Sequence, residues 1–179
     1  MNRGKALWTL ILTCLMSVMV MGMGSDTPAK ADVDPLQNFR IDGSWRMTVT
    51  ALDPPGLTPF DSLMTFIPGG GLVETRRLYV ADFPTGSLIE TPGAGNWNRI
   101  GLTTSFDITF IFLLQGGPNN AVLNGAPFGT DKIRWKATIN RRTGELAGPW
   151  ASTITDEAGN IVFAASGTLM GRRIPIEPL

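Results

Sequence analysis

The sequence predicts an all-β protein, an eight-stranded antiparallel up-and-down barrel. From residue 43 onward, nearly every segment alternates apolar and polar residues with a period of two, which is typical of strands with one buried face. No segment after residue 32 has a sustained helical period. The chain contains 21 Gly and 13 Pro but only 17% charged residues, a composition that favours short strands joined by turns. Its length of 179 residues suits one barrel domain, which we place at 43–173.

Four strands are predicted in the first half of the chain. The first has Trp45, Met47 and Val49 on one face and polar residues on the other. Three glycines at 69–71 make the second and third strands hairpin partners. A longer connection at 81–95, rich in Pro and Gly, precedes the fourth. The predicted strands are 43–51, 60–67, 72–80 and 96–103.

Four more strands are predicted in the second half. The first of them is the most apolar strand of the chain, with phenylalanines at Phe106, Phe110 and Phe112. The connection after it, 115–130, is rich in Gly, Asn and Pro, and its length is more typical of a lid or binding loop than of a simple connector. The predicted strands are 105–114, 131–140, 145–155 and 161–170.

Eight antiparallel strands in simple sequence order favour a closed barrel, because closure removes the sheet edges that would otherwise promote aggregation. A barrel of eight strands is just wide enough to be filled by side chains or to hold one small ligand. A β-sandwich is the alternative arrangement of the same strands.

The N-terminus has the features of a secretory signal peptide at 1–31. Arg3 and Lys5 give a positive start, an apolar run covers 6–23, and Ala29-Lys30-Ala31 has the small-x-small pattern that precedes a cleavage site. An uncleaved membrane anchor is the alternative reading of the apolar run. With cleavage, we expect a secreted or periplasmic protein without a permanent membrane anchor, with an N-terminal arm at 32–42 and a C-terminal tail at 174–179.

Composition excludes several classes of function. The chain has no histidine, and Cys14 is its one cysteine and lies within the predicted signal peptide. The mature chain therefore cannot build a Ser-His-Asp or Cys-His system, and it lacks the preferred zinc ligands. Fifteen basic residues balance fifteen acidic ones, so the chain has no excess of positive charge that would attract nucleic acid. We expect no catalytic residue, no metal, no cofactor and no nucleic-acid partner.

The tripeptide Gly-x-Trp occurs three times, as Gly43-Ser44-Trp45, Gly95-Asn96-Trp97 and Gly148-Pro149-Trp150. A glycine near the start of a strand permits a close backbone approach, and the tryptophan two residues later is a large apolar plug with one N–H group to satisfy. The tryptophans can close one end of a barrel or contact a ligand directly, and the sequence leaves both readings open.

This pattern resembles the calycin superfamily of lipocalins and avidins. In that superfamily the first strand opens with Gly-x-Trp, here at Gly43 and Trp45, and the last strand supplies an arginine that packs over the tryptophan, here Arg172 or Arg173. The chain is also similar to small secreted bacterial lipocalin-like proteins of unassigned function, over three segments: Gly43 to Val49, Phe60 to Phe66 and Gly95 to Gly101. The resemblance implies a barrel with an interior ligand site. Biotin binding is not implied, because Tyr79 is the one tyrosine.

We therefore expect a non-enzymatic exported barrel that binds a small apolar or amphipathic molecule in an aromatic-lined interior, with 81–95 or 115–130 over its mouth. Gly43, Arg172 and Arg173 are assigned structural roles. The candidate ligand-binding residues are Trp45, Met64, Phe66, Glu74, Trp97, Arg99, Phe106, Phe110, Trp135 and Trp150.

Which face of strand 72–80 points inward is left open. Glu74 and Arg76 share a face, and Arg77 and Tyr79 share the other; in a third reading the charges form solvated cross-strand pairs. Two other functions are also open. One is a cyclase or isomerase resembling allene oxide cyclase, with Glu74 and Arg99 as polar anchors. The other is a secreted interaction or inhibitor module with a packed interior.

Overall fold

Ten β-strands form the part of the chain that the computed structural model describes, which covers residues 40–76, 79–80, 86–118, 120 and 125–176. The predicted signal peptide and most of the predicted N-terminal arm lie outside these residues. In chain order, the strands are β1 (Gly43–Asp53), β2 (Phe60–Ile67), β3 (Gly71–Arg76), β4 (Tyr79–Val80), β5 (Leu88–Glu90), β6 (Gly93–Arg99), β7 (Ser105–Gly116), β8 (Pro127–Ile139), β9 (Leu146–Asp156) and β10 (Ile161–Arg173).

The ten strands occupy eight positions in one closed antiparallel barrel. β3 pairs with β6 and β4 pairs with β5, so β3 and β4 together form one interrupted strand. β5 and β6 both pair with β7, so they form a second interrupted strand. The ring continues through β2, β1, β10, β9 and β8, and the pairing of β7 with β8 closes it. The predicted eight-stranded barrel is confirmed, and it is compatible with a calycin-like fold.

Strand residues extend into both segments that the sequence suggested as connections. β5 and the start of β6 fall within 81–95, and the end of β7 and the start of β8 fall within 115–130. Pro92 interrupts the ladder between β5 and β6, because proline has no N–H group to donate. Thr91 bridges the gap: its N–H donates to the carbonyl of Leu113 at 3.0 Å, and its hydroxyl accepts from the N–H of Leu113 at 3.0 Å. Gly and Pro residues thus lie inside the barrel wall as well as in its turns.

The inward faces follow the predicted alternation, and they form one apolar core. In β1 the side chains of Trp45, Met47 and Val49 are buried, while Arg46 and Thr48 are exposed. The largest fully buried side chains are Trp45, Trp135, Phe66, Phe106, Phe110, Phe112, Ile41, Met47, Met64, Leu88, Ile108 and Ile139.

Arg173 fastens one end of the barrel, which we call the closed end. Its guanidinium lies over the ring of Trp45, 4.7 Å from the centroid, and donates to the carbonyl oxygens of Arg40 and Asp42. The indole N–H of Trp45 donates to the carbonyl of Ile41 at 2.7 Å. Of the two arginines suggested by the calycin resemblance, Arg173 packs over the tryptophan.

In the second and third Gly-x-Trp tripeptides, glycine is required because the backbone of a neighbouring strand lies too close for a side chain. A Cβ atom at Gly95 would lie 2.1 Å from the carbonyl oxygen of Thr109, and one at Gly148 would lie 1.8 Å from that of Lys136. Both distances are far below van der Waals contact, so these glycines let neighbouring strands approach. This supports the structural reading of the tripeptide's glycine.

Removal of the Arg173 guanidinium should destabilise the barrel. Arg173→Ala removes the contact with Trp45 and two charge-assisted hydrogen bonds, so we expect the free energy of unfolding to fall by about 2 kcal/mol. Urea unfolding followed by tryptophan fluorescence measures it. Arg172→Ala is the matched control, because that side chain is 83% exposed and its pair with Glu145 should add little. Equal effects of the two substitutions would contradict the role of Arg173.

Candidate functional site

Among the described residues, four charged side chains are buried inside the barrel, in the half that faces away from the closed end. Glu74, Glu90 and Asp131 are 1%, 2% and 3% exposed, and the side chain of Arg76 is 12% exposed. Charged groups are rarely buried this deeply unless they are paired. With Ser62 and Ser152 they form what we call the inner cluster.

The strand register brings the inner cluster together. In β3, Leu72 and Glu74 are buried while Val73 and Thr75 are exposed, so the face that carries Glu74 and Arg76 points inward. This settles the inward face of β3, and the reading in which these charges lie on the solvated face is wrong. Glu90 of β5 and Asp131 of β8 flank β7, where they pair with Leu114 and Phe112.

Arg76 is the centre of the inner cluster. Its Nε and Nη2 atoms each donate to one carboxylate oxygen of Glu90 at 2.6 Å, and Nη2 also donates to Asp131 at 3.0 Å. The guanidinium carbon lies 4.0 Å from the centroid of the Phe112 ring. A bidentate pair stacked on an aromatic ring fixes the orientation of an arginine, and lysine cannot reproduce it.

The two serines complete the carboxylate contacts, except at one atom. The hydroxyl of Ser152 donates to Asp131 at 2.5 Å, and the hydroxyl of Ser62 donates to Oε1 of Glu74. The other oxygen of Glu74, Oε2, is buried and has no hydrogen-bond partner among the residues that the structure describes. Glu74 therefore has a carboxylate oxygen with unused hydrogen-bonding capacity.

Burial raises the pKa of Glu74 to about 7, against the opposing influence of Arg76 and of the hydrogen bond from Ser62. Glu90 and Asp131 raise the pKa of Glu74 further, because a second and third negative charge nearby disfavour its ionised form. The pKa of Glu90 is also raised by burial, against the charge of Arg76. The inner cluster has one cation for three carboxyl groups, so a proton on Glu74 reduces its charge imbalance.

A small cavity adjoins Glu74 and Arg76. Its volume is about 10 Å³, room for about one water-sized group. Trp150 lines it, and the indole N–H of Trp150 is buried without a partner among the described residues, as is that of Trp135. The remaining lining residues are apolar: Val49, Met64, Phe110, Ile133 and Leu169.

The structure divides the candidate ligand-binding residues between the two halves of the barrel. Met64, Glu74, Phe110 and Trp150 line the cavity. Trp135 is buried near Phe66, with ring centroids 6.5 Å apart. Trp45, Phe66, Trp97 and Phe106 belong to the closed-end half of the core.

Arg99 is not part of the inner cluster. It is the last residue of β6, is exposed, and lies over the ring of Phe106 at 5.3 Å. Trp97, two residues earlier, donates to the carbonyl of Ile67 at 3.1 Å. Arg76 is the arginine that lies beside Glu74.

Several members of the inner cluster were absent from the candidate residues: Ser62, Arg76, Glu90, Asp131 and Ser152. Asp131 has the same parity as Ile133 and Trp135, so the alternation of β8 carries the signal that it points inward. Glu90 has no such signal, because it lies on a three-residue strand between turn residues.

The described residues contain no group of three His, Cys, Asp or Glu side chains arranged to hold a metal ion. Nor does that part of the chain have a helix with the length and apolar character needed to cross a membrane.

The stability of the protein should depend on pH through Glu74. Between pH 4.5 and about 7 the folded protein keeps a proton that the unfolded chain releases, so the Glu74 contribution to stability falls as pH rises through this window. The loss is on the order of 3 kcal/mol. Urea unfolding of the wild type and Glu74→Gln at pH 4.5, 6 and 8 should show a much smaller decline in the variant. Glu145→Gln is the control, and identical pH slopes for wild type and Glu74→Gln would contradict the assignment.

Comparison of the chain with protein-family models, with curated proteins and with solved structures gave no significant match. A barrel of this kind hosts many functions, so function is inferred from the chemistry of the inner cluster.

Proposed function

We propose that this chain is an exported, lipocalin-like barrel that binds a small amphipathic molecule without catalysis. The polar end of the ligand contacts the inner cluster, and its apolar part lies against the aromatic and aliphatic walls of the interior. The protein acts in the periplasm or outside the cell, after removal of residues 1–31. It has no nucleic-acid partner, no cofactor and no permanent membrane anchor.

The observation that carries this proposal is the burial of the inner cluster itself. A buried ion network contributes little net stability compared with apolar residues of the same volume. The closed-end half of the same barrel is filled by Trp45, Phe66 and Phe106, so the fold does not need buried charge to be filled. Proteins depart from the rules of core packing chiefly at functional sites, where perturbed pKa values also concentrate.

The surroundings of the cavity favour an amphipathic ligand over a purely polar one. Glu74 and Arg76 are the charged residues of its lining, and the other walls are apolar side chains and the indole of Trp150. Sites for small molecules typically combine such walls with a few placed polar groups. A cavity of about 10 Å³ holds about one water-sized group, so a larger ligand requires side chains at this end of the barrel to move.

Membership of the calycin superfamily is part of the proposal. It is supported by the closed eight-stranded barrel, by Gly43 and Trp45 at the start of β1, and by Arg173 stacked over that tryptophan. Export is supported by the positive start, the apolar run and the small residues of 1–31.

A cyclase or isomerase is the second candidate function, and Glu74 favours it. A buried carboxyl group with a pKa of about 7 beside a cavity has the properties of a general acid or base. In this reading Arg76 takes the role of polar anchor that the sequence suggested for Arg99. Conversion of an unsaturated epoxide by the wild type and its loss in Glu74→Gln would favour this candidate over simple binding.

Ligand binding in the interior should quench the tryptophans unequally. Titration with farnesol, an isoprenoid alcohol, should give saturable quenching with one site per chain, because Trp150 lines the cavity. Trp150→Phe should remove most of the quenching, whereas Trp97→Phe should keep it, since Trp97 lies in the closed-end half. Absence of saturable quenching by farnesol would contradict the proposal and favour an interaction module. Equal quenching in both variants would place the ligand elsewhere.

A further inference from the structure

Two buried polar atoms without partners belong to residues that line the same cavity. Oε2 of Glu74 accepts hydrogen bonds, and the indole N–H of Trp150 donates them; neither has a partner among the described residues. Buried polar groups are nearly always hydrogen-bonded, and an unpaired one costs about 1–3 kcal/mol. A complementary acceptor and donor at one small cavity therefore define the hydrogen bonds that a bound group must supply.

We infer that the interior site selects ligands whose polar end is a neutral hydroxyl group, which donates to Glu74 and accepts from Trp150. This inference rests on the proposed function and names the chemical class of its ligand. A hydroxyl oxygen has one hydrogen to donate and lone pairs to accept with, so it satisfies both residues at once. The cavity of about 10 Å³ admits one group of that size.

A carboxylate is the wrong head group for this site. The inner cluster already has three carboxyl groups around Arg76, and the guanidinium is committed to Glu90 and Asp131 at 2.6–3.0 Å. A fourth carboxyl group would meet Glu74, and the cation among the cavity-lining residues, Arg76, already donates to Glu90 and Asp131 through Nε and Nη2. A buried like-charge contact of this kind is strongly unfavourable.

An ammonium group satisfies only half of the site. It can donate to Oε2 of Glu74 and is attracted by the excess of carboxylates. However, it has no lone pair to accept the N–H of Trp150, which would remain buried and unpaired. It also loses its full hydration when it enters an apolar lumen. A hydroxyl avoids both penalties.

The test compares three eight-carbon probes with the same tail, 1-octanol, octanoate and octylammonium, by isothermal titration calorimetry at pH 8. At this pH Glu74 is mostly ionised, since its pKa is about 7. We expect 1-octanol to bind about tenfold more tightly than either charged probe, which is the effect of one well-placed hydrogen bond. Tighter binding of octanoate or of octylammonium than of 1-octanol would overturn the inference.

Variants then assign the preference to the two residues. Trp150→Phe should weaken 1-octanol binding about fivefold to tenfold, because it removes the donor. Glu74→Gln should reduce the preference for 1-octanol over octanoate by about the same factor, because a neutral amide does not repel a carboxylate. Trp97→Phe and Glu145→Gln are the matched controls and should leave the order of the probes unchanged. An unchanged preference in both Trp150→Phe and Glu74→Gln would overturn the inference.

The two proposals fail in different ways. If the probes bind in the interior but without a head-group preference, the hydroxyl inference is wrong and the proposed ligand-binding function stands. If no eight-carbon probe binds and farnesol does not quench either, both are wrong.

Discussion

The ion pair between Arg76 and Glu90, extended to Asp131, is the interaction on which the candidate site depends. Arg76 is the last residue of β3, and its guanidinium donates to the carboxylates of Glu90 on β5 and Asp131 on β8. The same guanidinium lies over the ring of Phe112 on β7. Four positions of the barrel wall are thereby joined inside the lumen. Arg76 donates to Glu90 and Asp131, while Oε2 of Glu74, a residue that lines the cavity, has no hydrogen-bond partner among the described residues. The chemistry proposed for the site follows from that atom.

The two halves of the barrel interior are filled by different kinds of side chain. Near the closed end, large apolar side chains fill it, and Arg173 and Trp45 tie the first and last strands together through 4.7 Å stacking and carbonyl contacts. In the other half, the same alternation places charged and hydroxyl groups inward. The apolar core runs through both halves of the barrel, so a functional site can replace part of it in the half away from the closed end at a tolerable cost.

Much of the fold could be predicted from the sequence, because the alternation of apolar and polar residues along a strand matches the alternation of buried and exposed positions in the folded barrel. The alternation in β1, β7 and β8 matches the buried positions, and the order of the strands matches the ring. The candidate site could be predicted less well. Aromatic residues on an inward face can line a ligand pocket or fill a core, and the sequence pattern is the same in both cases. Trp45, Phe66 and Phe106 are buried in the core. Glu90 could not be predicted, since its three-residue strand follows turn residues and is defined by pairing with Leu114 across β7.

The most direct test of the account is to replace the charge network by apolar residues of similar size and to measure stability and binding together. In the variant Glu74→Leu, Arg76→Met, Glu90→Leu, Asp131→Leu, an inner cluster that serves a ligand predicts an unfolding free energy equal to or above that of the wild type, with loss of saturable farnesol binding. A folded variant that still binds farnesol with wild-type affinity, or a variant that loses most of its stability, would contradict the claim that the buried charges serve ligand binding.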